Sequence, residues 1–184
     1  MMMHITEMKK QIAMAAAVAL GCGAVFAQNP LMQKYYGTPY EIPPFEKITL
    51  ENYREGMLKG MEQEDKEIQA IIDCKDEPTF DNVIEPYTHS GALLDKAYVW
   101  STINGTNSTP ELQAFAREMS PLTSAHNSAR TMNKALFEKV KYVYDHQDKY
   151  NLDKEQKRIL EKTYQSFVNG GALLSDAQQK EQYK

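Results

Sequence analysis

From Thr49 onward the apolar residues of this chain return at intervals of three, four and seven, and the stretches open on residues that cap helices. That period lines up side chains on one stripe of an α-helix. Behind Thr49 as N-cap, the first stripe is Tyr53, Met57, Met61, Ile68, Ile71 and Ile72. The helix is expected to stop near Cys74, before Asp76-Glu77-Pro78. Thr79 caps a second helix carrying Phe80, Val83, Ile84, Tyr87, Leu94, Tyr98 and Ile103, closed by the turn cluster Asn104-Gly105-Thr106-Asn107. Pro86 lies inside it and predicts a kink or a late start, because proline removes one backbone bond and clashes one turn back. Gly91 offers a place for close helix contact.

Thr109-Pro110-Glu111 opens a third helix, with proline at the first position, where its missing N–H costs nothing. Leu112, Phe115, Ala116 and Met119 mark its buried face, Pro121 kinks or restarts it, and it runs on towards Arg130. Asn133 begins a fourth, with Leu136, Phe137, Val140, Val143 and Tyr144 inside. Asp153 and Gln156 form a capping box for a fifth, whose stripe is Ile159, Leu160, Tyr164, Phe167 and Val168. Gly170-Gly171 ends it through a left-handed cap. Ser175 with Gln178 repeats the capping box for a sixth. No run of four residues reads as a strand. The expected architecture is all-α, with antiparallel neighbours joined by short loops.

The 184 residues suffice for one domain with a real core. With 25% charged residues and ordinary glycine and proline, the composition is that of a soluble globular protein. The formal net charge is −4 and no basic stripe with interleaved aromatics occurs, which argues against nucleic acid as a partner.

The first 27 residues read as a secretory signal peptide. Lys9 and Lys10 form a positive n-region, Ile12 to Leu20 is an apolar run too short to span a bilayer, and Val25-Phe26-Ala27 precedes Gln28 as a small-residue cleavage pattern. Cleavage between Ala27 and Gln28 would leave Cys74 as the one cysteine, no transmembrane segment, and a periplasmic location. The alternative is lipidation at Cys22, where Leu20-Gly21-Cys22 partly mimics a lipobox. Residues 28–48 are expected to form an extended arm, since Pro30, Pro39, Pro43 and Pro44 prevent a helix and Tyr35, Tyr36 and Tyr40 favour a surface.

Little in the chain carries chemistry. The histidines are His4, His89, His126 and His146, and none is followed by Glu-x-x-His, so the helical zincin signature is absent. Helix packing could bring His89 and His126 together, but the ordinary reading is that each histidine is partly buried or solvated. Cys74 ends a helix, where a thiolate is disfavoured. The run Glu62 to Glu67 reads as a solvated helix face. The tyrosines fit core and rim packing better than a peptide-binding surface. No catalytic, cofactor-binding or metal residue is assigned to this sequence.

A colinear set of short motifs goes further. Asn29-Pro30-Leu31, then Tyr40-Glu41-Ile42-Pro43-Pro44-Phe45-Glu46-Lys47-Ile48, resembles the mature start of peptidyl-dipeptidases. Pro78-Thr79-Phe80-Asp81-Asn82-Val83-Ile84, Ser90-Gly91-Ala92-Leu93-Leu94-Asp95, Met119 to His126, and Lys157 to Tyr164 follow in family order. The block Leu152 to Lys184 resembles a helix-turn-helix near the front of the peptidyl-dipeptidase and oligopeptidase A group of zinc metallopeptidases, the thimet oligopeptidase family. Pro86 departs from the family pattern.

The resemblance implies the front of the N-terminal domain of a neurolysin-like two-domain fold, in which a deep channel admits only short peptides. It implies a zinc enzyme that releases dipeptides from C-termini, with the metal polarising the scissile carbonyl and lowering the pKa of its water. The family's H-E-x-x-H helix and downstream glutamate lie in its C-terminal half and have no counterpart here, so none of its catalytic residues carries over. The expectation is an exported N-terminal portion that needs a separate catalytic domain and is inactive alone. The sixth helix, roughly nine residues long, would be unstable without further packing, so the helical domain 49–184 is expected to be incomplete. The competing expectation is a non-enzymatic exported binding module that kept the fold.

Overall fold

The structure, a computed structural model, describes residues 29–34 and 36–174. The expected signal peptide with Ala27 and Gln28, Cys22, His4, Tyr35 and the helix opened by Ser175 lie outside the described residues. Within them the chain is all-α, and no strand occurs among the described residues. The helices are α1 (Leu50–Asp73), α2 (Glu85–His89), α3 (Ala92–Ala97), α4 (Val99–Thr106), α5 (Pro110–Thr131), α6 (Lys134–Asp145) and α7 (Lys154–Asn169).

The caps fall where their side chains can satisfy the first backbone N–H groups. Thr49 and Asp153 accept from the backbone N–H groups of Asn52 and Gln156, whose side chains reach back to complete capping boxes. Thr109 and Asn133 cap α5 and α6 in the simpler way. At the end of α7 the left-handed residue is Gly171, at φ 87°, while Gly170 keeps a negative φ.

The second expected helix is not one helix. After Thr79 the chain makes a π-turn, Phe80–Ile84, in which the Glu85 N–H reaches back to the Phe80 carbonyl. Pro86 follows in the first turn of α2, where a missing N–H is tolerated. The break comes later, at Ser90 and Gly91, and Gly91 adopts φ 77°, a region that glycine enters freely. Pro121, by contrast, neither stops nor restarts α5, which runs through it to Thr131. Ahead of α1 the chain makes single 3₁₀ turns at Pro30–Met32 and Phe45–Lys47, and between them a tight turn at Pro39–Glu41 in which Tyr40 and Glu41 take positive φ of 59° and 54°. Leu31 is fully buried, and Asn29 Nδ2 donates to the Asn52 carbonyl at 2.8 Å and to Glu55 at 3.0 Å, pinning this segment to the first turns of α1.

Helix α1 is shared by two apolar clusters. Its first half supplies Tyr53, Met57 and Met61 to a cluster with Leu31, Leu94, Ala97, Trp100, Phe115 and Met119. Its second half supplies Ile68 and Ile71 to a cluster with Phe80, Val83, Ile84, Leu136, Phe137, Val140, Val143, Leu160 and Phe167. Each large side chain so buried contributes about 1.5–3 kcal/mol relative to exposure. Trp100 meets Phe115 edge-on at 4.9 Å, and its indole N–H points at the Met57 sulfur, 2.9 Å away. Ile159, assigned to the α7 stripe by spacing, is 40% exposed, so that stripe is narrower than expected.

The register of α1 fixes the relative directions. Gly56 faces Ala97, Gly60 faces Leu94, and the Glu64 carboxylate faces Gly91, so α3 runs antiparallel to α1. Arg54 pairs with Glu118 and Glu64 pairs with Arg130, so α5 runs parallel to α1 once the chain has returned. Phe137 stacks on Tyr164 and tilts against Phe167, while Tyr144 stacks on Tyr164 at 4.0 Å, which sets α6 and α7 as an antiparallel pair.

Candidate functional site

The run Glu62 to Glu67 is not wholly a solvated face. Glu64 is 1% exposed and sits on α1 between the two apolar clusters. The sequence carried the signal: Met57, Met61, Glu64, Ile68 and Ile71 fall at alternating spacings of four and three, so Glu64 occupies the buried stripe itself. A buried carboxylate requires a partner, since an isolated charge in the interior is strongly disfavoured. Arg130 supplies it from α5, its Nη1 donating to Glu64 Oε1. Met119, Thr123, His126 and Arg130 fall at four, three and four, the same kind of stripe, which pattern reading of α5 stopped short of.

Three elements meet at this carboxylate. Gly91, between α2 and α3, packs so closely that a Cβ there would lie 3.0 Å from the Glu64 carboxyl carbon. Its N–H donates to Glu67 Oε2 at 2.9 Å. From α5, His126 Nδ1 stands 3.7 Å from Glu64 Oε2 and His126 Nε2 stands 3.2 Å from Asp65 Oδ1. Burial works against the Arg130 charge, but neighbouring Tyr87, Glu64 and Asp95 outweigh it and hold the guanidinium pKa above its ordinary value. Burial likewise raises the Tyr87 phenol; Arg130 opposes that shift and Glu64 adds to it.

The other candidates are dispersed. His89 is exposed, and the structure does not bring it to His126 in a metal-ligating group. His146 stacks on Tyr142, with Nδ1 2.8 Å from the Tyr142 carbonyl. Cys74 is the C-cap of α1, and its carbonyl accepts from Lys139 Nζ at 2.6 Å. Among the described residues no group of three or more His, Cys, Asp or Glu side chains is placed to hold a metal ion. Glu64, Asp65 and His126 lie close together, but Glu64 Oε1 already accepts from the Arg130 guanidinium, whose positive charge repels a bare metal cation there. Zinc therefore does not fit these residues. No helix among the described residues is long and apolar enough to cross a membrane.

The comparisons with known proteins agree with this architecture. The sequence model of the neurolysin/thimet oligopeptidase N-terminal domain matches residues 55–179. A dipeptidyl carboxypeptidase of Salmonella typhimurium is 31% identical over 149 residues, which is 80% of this chain and 22% of that protein. A dipeptidyl carboxypeptidase of Escherichia coli is 31% identical over 140 residues, 76% of this chain and 21% of its own length. Oligopeptidase A of Escherichia coli is 23% identical over 154 residues, 83% of this chain and 22% of that protein. The chain thus spans about a fifth of the length of the curated relatives it matches. The chain belongs to the neurolysin/thimet oligopeptidase family and carries sequence of its N-terminal domain.

Proposed function

We propose that this chain is the front of the N-terminal domain of an exported peptidase that releases dipeptides from the C-termini of short peptides. The observation that carries the reading is its 31% identity to a dipeptidyl carboxypeptidase over 80% of its length. Its part is structural: the helices supply wall to a channel that admits short peptides, and α1, shared between two apolar clusters, holds that wall rigid. Chemistry at the scissile bond, with its zinc, belongs to a catalytic domain outside these residues. No proton transfer is assigned to any side chain of this chain, which alone is expected to be inactive.

Export rests on Lys9 and Lys10, the apolar run Ile12 to Leu20, and Val25-Phe26-Ala27. A periplasmic mature protein beginning at Gln28, measured by intact mass, supports it; a lipid-bearing Cys22 would instead tether the chain to a membrane. The catalytic assignment is tested by reading the source DNA past the codon for Lys184. A frame that continues to an H-E-x-x-H helix supports the proposal. A stop with no such motif nearby contradicts it and leaves the non-enzymatic binding module.

A further inference from the structure

Among the described residues, the buried polar atoms with no hydrogen-bond partner in the protein meet at one place: Glu64 Oε2, Arg130 Nε, His126 Nδ1, and His126 Nε2, which faces Asp65 Oδ1 at 3.2 Å without forming a hydrogen bond. They border a cavity of about 190 Å³ between α1 and α5, lined also by Asp65, Gln69 and Asn133. Native interiors leave few such groups unpaired, so a cluster of them calls for a partner that can answer several at once. One water occupies about 30 Å³ of liquid, so the cavity has room for a molecule of several heavy atoms.

The lining dictates the chemistry of that molecule. Glu64 Oε2 and Asp65 Oδ1 can only accept while ionised, and Arg130 Nε can only donate. A simple cation answers the carboxylates and leaves the guanidinium N–H unpaired. A simple anion does the reverse. Within the buried part of the pocket the Glu64 and Arg130 charges balance, and Asp65, 73% exposed at the mouth, is screened by solvent, so a ligand of zero net charge introduces no uncompensated charge next to them.

We propose that this pocket binds a small zwitterion of the α-amino-acid class. Its ammonium sits between Glu64 Oε2 and Asp65 Oδ1, and its carboxylate accepts from Arg130 Nε and from the ring N–H of His126. The site joins α1 to α5 at the junction of the two apolar clusters, so occupancy braces that junction. The inference stands on the cavity alone, whatever the peptidase reading.

Glycine is the probe, titrated into the full chain while the His126 ring resonances are followed by NMR. Methylammonium and acetate at matched ionic strength are the half-ligand comparisons. Glycine is expected to give a saturable shift at His126, with each half-ligand binding at least about tenfold more weakly because it forfeits one charge-assisted contact. Asp65→Asn removes an accepting charge whose side chain is 73% exposed, so the fold survives the change. It should weaken glycine about fivefold or more. No saturable shift, an equal response to all three probes, or undiminished glycine binding by Asp65→Asn would each overturn the proposal and leave a cavity holding water only.

Discussion

Gly60 of α1 stands directly against the backbone of Leu94 in α3: a Cβ at Gly60 would lie 2.7 Å from the Leu94 Cα and 2.8 Å from its nitrogen. Backbone cannot rotate aside as a side chain can. Gly60→Ala should therefore push α1 and α3 apart and cost about 1–3 kcal/mol. Gly105 has nothing within 4 Å of the same position, so Gly105→Ala in α4 should be neutral or slightly stabilising. Urea denaturation of both variants separates the two cases, and an unchanged midpoint for Gly60→Ala would contradict the packing described.

The Glu64–Arg130 pair is expected to matter more when broken than when removed. Glu64→Ala leaves a largely buried guanidinium without its carboxylate and should cost about 3 kcal/mol, the lower end for buried pairs because Arg130 is 29% exposed. Glu64→Leu combined with Arg130→Met should recover most of that loss. A double-mutant cycle measures it. Two additive single losses would show that the pair is not coupled.

Much of this was legible in the sequence, and the misses share a cause. Caps at Thr49, Thr79, Thr109, Asn133 and Asp153 could be read because a cap is local, a side chain answering a backbone N–H three residues on. The break at Gly91 rather than Pro86 was not, because it depends on Glu64 and Glu67 of another helix reaching Gly91. Glu64 was misread through its neighbours: five of the six residues from Glu62 to Glu67 are charged, which hid the one on the apolar stripe. Exposure of Ile159 has the same origin, since spacing gives a stripe's centre but not its width.

Leu31 pins the segment ahead of α1 by entering the first apolar cluster. Leu31→Ala should lower stability by about 2–5 kcal/mol. It should also speed limited tryptic cleavage at exposed Lys34, because the 3₁₀ turns lose their anchor. Cleavage at the parent rate would argue that the segment is held some other way.

Stability should fall on the acid side. The carboxylates of Glu55, Glu62, Glu77 and Glu118 are held below their ordinary range, chiefly by hydrogen bonds from Lys59, Lys66, Tyr142 and Arg54 respectively. A depressed carboxylate pKa gives stability that is present above the unfolded value and lost as pH drops through the folded one. Tyr87 acts in the opposite direction. Its raised phenol pKa gives stability that is present below about 10 and lost as pH climbs past that value towards the folded one. Thermal melts across the pH range should show both limbs, and the acid limb should weaken in high salt because the pairs with Lys59, Lys66 and Arg54 are exposed charge pairs. A melting temperature that does not change between neutral and acid pH would contradict the ion-pair assignments.

The central claim, that these helices are the front of a dipeptide-releasing peptidase, is tested most directly by a chimera. Residues 29–174 replace the aligned front of the Salmonella typhimurium dipeptidyl carboxypeptidase, and the products formed from an N-terminally blocked tripeptide are measured by mass. The account predicts release of the C-terminal dipeptide by a protein whose helical content matches the parent. A chimera that folds to the same helical content, binds zinc as the parent does, and releases no dipeptide would contradict it.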